Sequence, residues 1–203
     1  MHGSSQVGGL INPRFGRLNV IGSEGGHIGI DVSSPEQYEY EQFIRKKRGL
    51  TTEGLSAEWC FCGKAIPLLY EFLAEKKGVP IPQWRLNDEP VFTKIETDEI
   101  AKEAFEHFLR LLGTVLSHLA ACFVPDDGIV LCQTIVSSCS KYIIKDTEDP
   151  EKSILLKAIR SNKCIGSYLS TIPVYLTTED NLGMKGCFNL LRHLQPESRE
   201  YKD

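Results

Sequence analysis

Residues 97–123, TDEIAKEAFEHFLRLLGTVLSHLAACF, form the stretch whose pattern predicts most about the fold. Apolar residues recur at every third or fourth position, which is typical of an α-helix with one buried face. Asp98 and Glu99 stand at its start, where negative charge stabilises a helix. Beyond Arg110 the polar face disappears, so we expect the second half to be buried on all sides. At roughly 1.5 Å per residue the helix is about 39 Å long, enough to cross a whole domain.

The composition is that of an ordinary globular chain. Of 203 residues, 41% are apolar and 25% are charged, which allows one domain with a sizeable core. The net charge of −4 and the scattered lysines and arginines argue against nucleic acid as a partner. The basic run RKKR at 45–48 is more typical of the solvated end of a helix. No apolar window reaches the length of a membrane span and no signal-peptide pattern opens the chain, so we expect a cytoplasmic protein without a membrane partner.

Seven cysteines stand at irregular spacing along the chain. Their number is odd, which fits reduced thiols in a core better than a disulfide framework. The CFCG segment at 60–63 also allows a zinc site. Structural zinc normally has four protein ligands, however, and no cysteine lies between Cys62 and Cys122. Buried thiols are therefore the favoured interpretation, and no metal site is expected.

Apolar runs and turn residues predict two elements near the start of the chain. Residues 7–21 predict a β-hairpin with its turn at NPRFG. Ser34 is a good helix N-cap, with Pro35 at the first helical position and Gln37 completing a capping box. The side chains predicted to face inward on this helix are Tyr38, Phe43 and Ile44.

Further helices and strands are predicted beyond residue 50. Ser56 is predicted to cap a helix that runs to about Lys77, with interruptions at Gly63 and Pro67. The Pro-rich segment 78–90 is predicted to be a loop. After the long helix, strands alternate with helices, which predicts an α/β fold with a mixed sheet. The predicted strands are 128–132 and 172–178, and the predicted helices are 135–145, 150–161 and 183–194.

The segment GSEGGHIG at 22–29 is the first candidate site. Its four glycines indicate backbone conformations that a Cβ would hinder, and between them stand Glu24 and His27. A carboxylate accepts two hydrogen bonds and an imidazole donates one and accepts another, which suits the vicinal hydroxyls of a sugar. A plain polar turn explains the same residues. Glu58, in the first turn of the helix predicted after Ser56, is either a second candidate or only an acid that favours a helix start.

Taken in chain order, these segments resemble the bacterial-type glucokinase family, ATP-dependent hexose kinases with an actin-like, ribonuclease-H-like fold. EGGH at 24–27 is similar to that family's sugar-binding turn after a hairpin, and SAE at 56–58 to the segment around its next sugar-binding glutamate. GIVLCQTIV at 128–136 stands where the family has the strand and turn that contact the adenosine. IPVYL at 172–176 is similar to its closing strand. The resemblance runs from about residue 3 to residue 194.

The resemblance implies a fold class and a domain assignment. Residues 1–195 would be the large, C-terminal domain of an α/β, actin-like ATPase, with a mixed β-sheet flanked by helices and the long helix 97–123 at its centre. Residues 196–203 would be a polar tail. The family's smaller N-terminal domain has no counterpart in the sequence. Homodimers are common in the family, so a homodimer is also implied.

The resemblance further implies roles for particular residues. Glu24, His27 and Glu58 would bind the hydroxyls of glucose or a similar hexose, whose 6-hydroxyl the family phosphorylates with ATP and Mg²⁺. The family's general base is an aspartate beside an asparagine in the N-terminal domain. Asn87 and Asp88 come in the wrong part of the fold to match it. We therefore expect no catalytic base in this chain and little or no turnover from it alone.

The nucleotide motifs depart from the family pattern. Where the family has a Gly-rich phosphate loop with a threonine, this chain has Gly3, Ser4 and Ser5, which would donate only weakly to phosphate. Gln133 and Thr134 stand where the family has two consecutive glycines beside the adenosine, so their side chains would obstruct close approach of the nucleotide or have to be repositioned. Two alternatives to a glucokinase follow: a non-catalytic sugar-binding or regulatory relative, and a kinase for another hexose or amino sugar.

Overall fold

The structure is a computed structural model and describes residues 10–12, 17–19, 23–30, 32, 34–51, 54–87, 89–132, 134–177, 179 and 181–194. Its helices are α1 Pro35–Arg48, α2 Glu58–Phe61, α3 Ala65–Lys77, α4 Gln83–Leu86, α5 Glu99–Phe123, α6 Thr134–Thr147, α7 Ile154–Ile159, α8 Gly166–Leu169 and α9 Leu182–Leu194. Its strands are β1 Leu10–Asn12, β2 Arg17–Asn19, β3 Ile129–Leu131 and β4 Val174–Leu176, and single 3-10 turns lie at Gly25–His27 and Val91–Lys94. Across these segments, no helix combines the length and the apolar character needed to cross a membrane.

The long helix predicted from the apolar repeat is α5. Its N-cap is Asp98, whose side chain accepts a 2.9 Å hydrogen bond from the Ala101 N–H. Its apolar face packs against α2, α3, α7 and the turn at Val91–Lys94. Most of the core therefore forms around this one helix, as its periodicity indicates.

The second half of α5 is buried almost to its end. The residues of its last turn, Ala121 and Cys122, are exposed, so the prediction of burial on all sides is wrong there. The helix ends at Val124, which has a φ of 46° and is itself exposed. The helix thus ends where the apolar pattern predicts, but its last turn lies at the surface.

Helices α5 and α7 approach each other closely at Gly113. A Cβ at this position would lie 2.5 Å from the Ala158 Cβ and 2.7 Å from the Leu155 carbonyl oxygen. Both distances are far inside van der Waals contact. Gly113 is therefore the residue that lets the two helices meet.

Helix α1 begins and ends as the sequence predicts. The Ser34 hydroxyl accepts a 3.2 Å hydrogen bond from the Gln37 N–H, and Pro35 is the first helical residue. The basic run at 45–48 forms the last turn, where positive charge interacts favourably with the helix dipole and stabilises the helix. Gly49 follows in the left-handed conformation.

The inward face of α1 is set by Tyr40 and Ile44, both buried. The Tyr40 and Phe43 rings lie 5.5 Å and 5.7 Å from the ring of Phe72 on α3. The inward prediction for Tyr38 is wrong, because its side chain is 55% exposed. At about 100° per residue, Tyr38 points to the side of the helix opposite Tyr40.

The single helix predicted between residues 56 and 77 is two helices. Ser56 is not its cap, because α2 begins at Glu58 and has no side-chain cap, while Ser56 pairs with Gly29 in an isolated antiparallel bridge. The predicted interruption at Gly63 falls between α2 and α3. Pro67 does not interrupt α3, since it lies in the first turn, where its missing N–H has no intrahelical partner.

The Pro-rich segment 78–90 is not wholly a loop. It contains the short helix α4, and the ring of Trp84 there packs edge-on against Tyr70 with the centroids 5.2 Å apart. Asn87 ends this helix and accepts a hydrogen bond from the Gln83 side chain. Aromatic packing against α3 therefore orders a stretch whose prolines predict irregular structure.

The strands of the described segments form two pairs. β1 and β2 pair antiparallel with Leu10 opposite Asn19, as the predicted hairpin requires. β3 and β4 pair in parallel with Ile129 opposite Val174, and the chain crosses between them through α6, α7 and α8. Two parallel strands joined through helices are what the predicted α/β fold requires. Within the described residues, the predicted mixed sheet is present only as these two separate pairs.

All seven cysteines are free thiols, but they divide by burial. Cys60 and Cys139 are buried, as predicted. Cys122, Cys164 and Cys187 are exposed, so the expectation of core thiols is wrong for them. The cysteines lie on different helices and connecting segments, so some of them face the core and others face solvent.

Candidate functional site

Three polar side chains from two separate segments meet at one place. The His27 Nε2 lies 3.6 Å from the Glu24 Oε2 and 4.0 Å from the Glu58 Oε1. These are the three residues to which the sequence assigns a possible sugar site. The imidazole thus stands between two carboxylates.

Backbone pairing brings the two segments together. Gly29 and Ser56 form the antiparallel bridge, flanked by hydrogen bonds from the Ile30 N–H to the Leu55 carbonyl at 3.1 Å and from the Ala57 N–H to the Ile28 carbonyl at 2.8 Å. The bridge places the turn that carries His27 directly beside the start of α2. No local pattern in the sequence predicts this pairing.

The turn itself is closed by short-range hydrogen bonds. The Ser23 hydroxyl accepts from the Gly25 N–H at 3.1 Å, and the Glu24 carbonyl accepts from the His27 N–H at 2.8 Å. Gly25 and Gly26 are buried within a 3-10 turn, a conformation that needs no positive φ. At these two positions the left-handed backbone conformations predicted from the glycines are not seen.

Helix α1 supports the segment that carries Glu58. The Tyr40 hydroxyl donates a 3.3 Å hydrogen bond to the Trp59 carbonyl, and the Arg48 guanidinium carbon lies 4.8 Å from the centroid of the Trp59 ring. Such a cation–π contact is favourable. Tyr40 and Arg48 are supporting residues that the sequence patterns do not single out.

The site is open to solvent. The side chain of Glu24 is 81% exposed, that of His27 56% and that of Glu58 24%. The distances between them exceed the length of a hydrogen bond, so these side chains remain available to a ligand. A carboxylate accepts from hydroxyls, and a neutral imidazole both donates and accepts, so the three groups can bind a polyhydroxyl molecule.

A groove elsewhere on the protein does not contain these residues. It has a volume of about 740 Å³ and lies between α1, α3 and the chain that follows α3. Its charged groups pair with one another, as Arg85 does with Glu71 at 3.1 Å and Lys46 with Glu75 at 3.3 Å. Because its cations and anions satisfy one another, this groove is a weaker candidate for a polar ligand than the open cluster.

Most of the residues predicted to bind the nucleotide lie outside the described residues. This holds for Gly3, Ser4, Ser5 and Gln133. Thr134 is the first residue of α6, which begins just beyond the carboxyl end of β3. The carboxyl ends of parallel strands are where α/β folds commonly bind ligands.

Two solved structures share the fold. A glucokinase from an Antarctic psychrotroph matches with a TM-score of 0.70 at 20% identity, over 87% of this chain and 51% of that one. The glucokinase of Balamuthia mandrillaris, solved in complex with glucose, matches with a TM-score of 0.74 at 15% identity, over 88% and 49%. The fold is thus that of about half of a glucokinase.

Sequence comparison gives the family. The glucokinase family model matches residues 7–194, and the chain belongs to the glucokinase family. The glucokinase of Pseudomonas paraeruginosa is 26% identical over 195 residues, which are 95% of this chain and 54% of that protein. The glucokinase of Mesorhizobium japonicum is 25% identical over 166 residues, 82% of this chain and 46% of that protein. The chain therefore spans about half the length of these curated relatives.

Proposed function

We propose that this chain is the sugar-binding, large-domain portion of a glucokinase-type kinase, an ATP:hexose phosphotransferase. Glu24, His27 and Glu58 would bind the hydroxyls of glucose or a similar hexose, whose 6-hydroxyl receives the phosphoryl group. Membership of the glucokinase family supports the reaction class. The assignment of the three residues is our own.

The observation that carries the proposal is the convergence of the three side chains. The Glu24 and Glu58 carboxylates lie 3.6 Å and 4.0 Å from the His27 Nε2, and neither distance is that of a direct hydrogen bond. Sugar hydroxyls can donate to the carboxylates and accept from an imidazole N–H. A site of this composition discriminates against analogues that lack a hydroxyl, since its polar groups would then stay unpaired.

The nucleotide side of the proposal has weaker support. ATP supplies the phosphoryl group and Mg²⁺ the positive charge that stabilises its transfer. The N-terminus of α6, beside the carboxyl end of β3, offers backbone N–H groups that suit a polar ligand. Gln133 and Thr134 carry side chains where the family has glycines, so we propose that these residues and α6 bind ATP weakly. We assign no magnesium ligand among the described residues.

The exposure of the site leads to a further expectation. Because Glu24 and His27 are more than half exposed, a bound sugar would keep much of its water and would bind weakly. The chain also has no residue that we assign as general base. We therefore propose that the 203-residue chain binds glucose weakly and turns it over little by itself.

Calorimetric titration with the two enantiomers of glucose tests the proposal. D-glucose should give a binding isotherm and L-glucose none, because fixed side chains can match only one arrangement of hydroxyls. Equal responses to the two enantiomers would contradict a sugar site. A coupled assay for ADP should detect little turnover, and a rate like that of an intact hexose kinase would contradict the absence of a base.

A second candidate function is a non-catalytic sugar-binding or regulatory relative. The observation that favours it is the Gln133-Thr134 pair in place of two glycines. ATP titration in the presence of saturating glucose separates the two functions, because only the kinase needs a nucleotide. Replacing glucose with other hexoses and with an amino sugar in the same titration would show which sugar the site prefers.

A further inference from the structure

Away from the sugar site, Glu36, Glu103 and His107 bring three metal-ligating side chains together. Glu36 is the second residue of α1, while Glu103 and His107 lie one turn apart on α5. Their spacing of four puts the two α5 residues on one face of the helix. One ligand atom from each of the three residues lies within 4.8 Å of the other two.

One pair in this cluster already has the spacing of two ligands of a single ion. The His107 Nε2 lies 3.3 Å from the Glu36 Oε1. With bonds of about 2.0–2.2 Å, two ligand atoms of a tetrahedral zinc ion lie roughly 3.4 Å apart. Glu103 has a long and partly exposed side chain, so a change of its rotamer brings its carboxylate to the same ion.

Burial gives the cluster an inner and an outer end. The His107 side chain is only 10% exposed, whereas Glu36 and Glu103 are 41% and 32% exposed. An ion therefore has a path from solvent past the carboxylates to the imidazole.

Two lysines compete for the carboxylates. The Lys76 Nζ lies 3.7 Å from the Glu36 Oε1 but only 2.7 Å from the Glu39 Oε2, so it keeps its closer partner when Glu36 binds an ion. Lys77 forms an ion pair with Glu103. Such partly exposed ion pairs contribute little to stability, and a divalent ion between two carboxylates can displace one.

We propose that Glu36, Glu103 and His107 bind a divalent transition-metal ion, with Zn²⁺ the best match to one imidazole and two carboxylates. The ion joins the first turn of α1 to the N-terminal part of α5, two elements that are far apart in the sequence. Three protein ligands leave a fourth position for water. The ion holds α1 against α5, and it is separate from the magnesium that accompanies a nucleotide.

Zinc titration by calorimetry, on chelator-stripped protein, tests the site. Wild type and Glu106→Gln should bind Zn²⁺ alike, because Glu106 is a matched acid on α5 that lies outside the cluster. Glu103→Gln should bind it roughly 100-fold more weakly, since even indirect support of a metal site accounts for about 10- to 100-fold in affinity. His107→Gln should do the same. At the same zinc concentration, the melting temperature of wild type and Glu106→Gln should rise more than that of Glu103→Gln.

Cysteine-bound zinc is the outcome that would overturn the proposal. The chain has seven free thiols, and zinc held by them would bind to Glu103→Gln as tightly as to wild type. Glu103 lies at the partly exposed end of the cluster, so its variant should melt in chelator at the temperature of the stripped wild type. If the buried His107→Gln variant does not fold, the comparison of Glu103→Gln with Glu106→Gln decides the matter.

Discussion

The His27 Nε2 lies 4.0 Å from the Glu58 Oε1, although a whole helix, α1, separates the two residues in the sequence. The bridge between Gly29 and Ser56 creates this proximity. Neither side chain is bound directly to the other, because 4.0 Å is too long for a hydrogen bond. Both are therefore available to the same ligand, and each can be changed without breaking a contact on which the fold depends.

Glu58→Gln should weaken glucose binding by about tenfold or more, since a hydrogen bond to a charged group contributes about 1.5–3 kcal/mol. The amide keeps the shape of the side chain but loses the charge and one acceptor. Calorimetric titration with D-glucose measures the effect. The stability to urea should stay unchanged.

The matched control for this change is Glu151→Gln. Glu151 is an exposed acid in the turn before α7, so the variant has the same change of charge outside the candidate site. It should bind glucose as wild type does. If the two variants bind glucose equally well, Glu58 is not a sugar ligand.

Tyr40→Phe should destabilise the protein by about 1 kcal/mol, which is the usual contribution of one hydrogen bond. The change removes the donor to the Trp59 carbonyl and leaves the ring packed on Phe72. Glucose affinity should fall only slightly, because Arg48 and the packing of α2 still position Glu58. Urea denaturation measures the stability.

The control for this change is Tyr38→Phe, which removes an exposed hydroxyl from the same helix and should have almost no effect on stability. An equal loss of stability in both variants would show that the hydrogen bond from Tyr40 to the Trp59 carbonyl contributes nothing.

Gly113→Ala should destabilise the fold by about 1–3 kcal/mol or more, since added volume in a packed core forces its neighbours apart. The new methyl group would meet the Ala158 side chain and the Leu155 carbonyl oxygen at less than 3 Å. The comparison variant is Gly183→Ala in α9, where a Cβ meets no atom within 4 Å. That variant should gain a few tenths of a kcal/mol from helix propensity. If the Gly113→Ala protein is as stable to urea as wild type, α5 and α7 can move apart without a loss of stability.

Elements with regular patterns could be predicted from the sequence. The repeat of apolar residues predicts α5, and Ser34 with Pro35 predicts the start of α1, because capping and periodicity are local properties. The strand at Ile129–Leu131 and the helix after it follow from an apolar run and a change of period. The candidate residues Glu24, His27 and Glu58 could also be named, through a resemblance that orders them along the chain.

What depends on contacts between distant segments could not be predicted. Ser56 has the chemistry of a helix cap, yet its backbone pairs with Gly29 instead. Trp84 lies among prolines, yet it forms part of a helix because it packs against Tyr70. Tyr40 and Arg48 support α2 only because α1 packs beside it, and no residue pattern in the sequence predicts that packing.

The burial of the thiols leads to the last prediction. Burial raises the pKa of Cys60 and of Cys139 to about 12, and a thiol reagent attacks only the thiolate. At pH 8, therefore, the native protein should be labelled rapidly at the exposed Cys122, Cys164 and Cys187 and not at the two buried positions. Peptide mapping after a short exposure to reagent gives the pattern. Labelling of Cys139 as fast as of Cys164 would mean that the core opens readily.

The same shift makes stability depend on alkaline pH. An unfolded thiol has a pKa of about 8.5, so the unfolded chain loses protons that folded Cys60 and Cys139 keep. Their contribution is complete below that pH and is lost as the pH rises toward 12. The free energy of unfolding in urea should fall between about pH 9 and pH 10, and Cys139→Ala should reduce the slope, even though the cavity it leaves lowers stability at every pH. An unchanged slope in that variant would show that other groups, such as Tyr70 with its pKa raised to about 12, cause the decline.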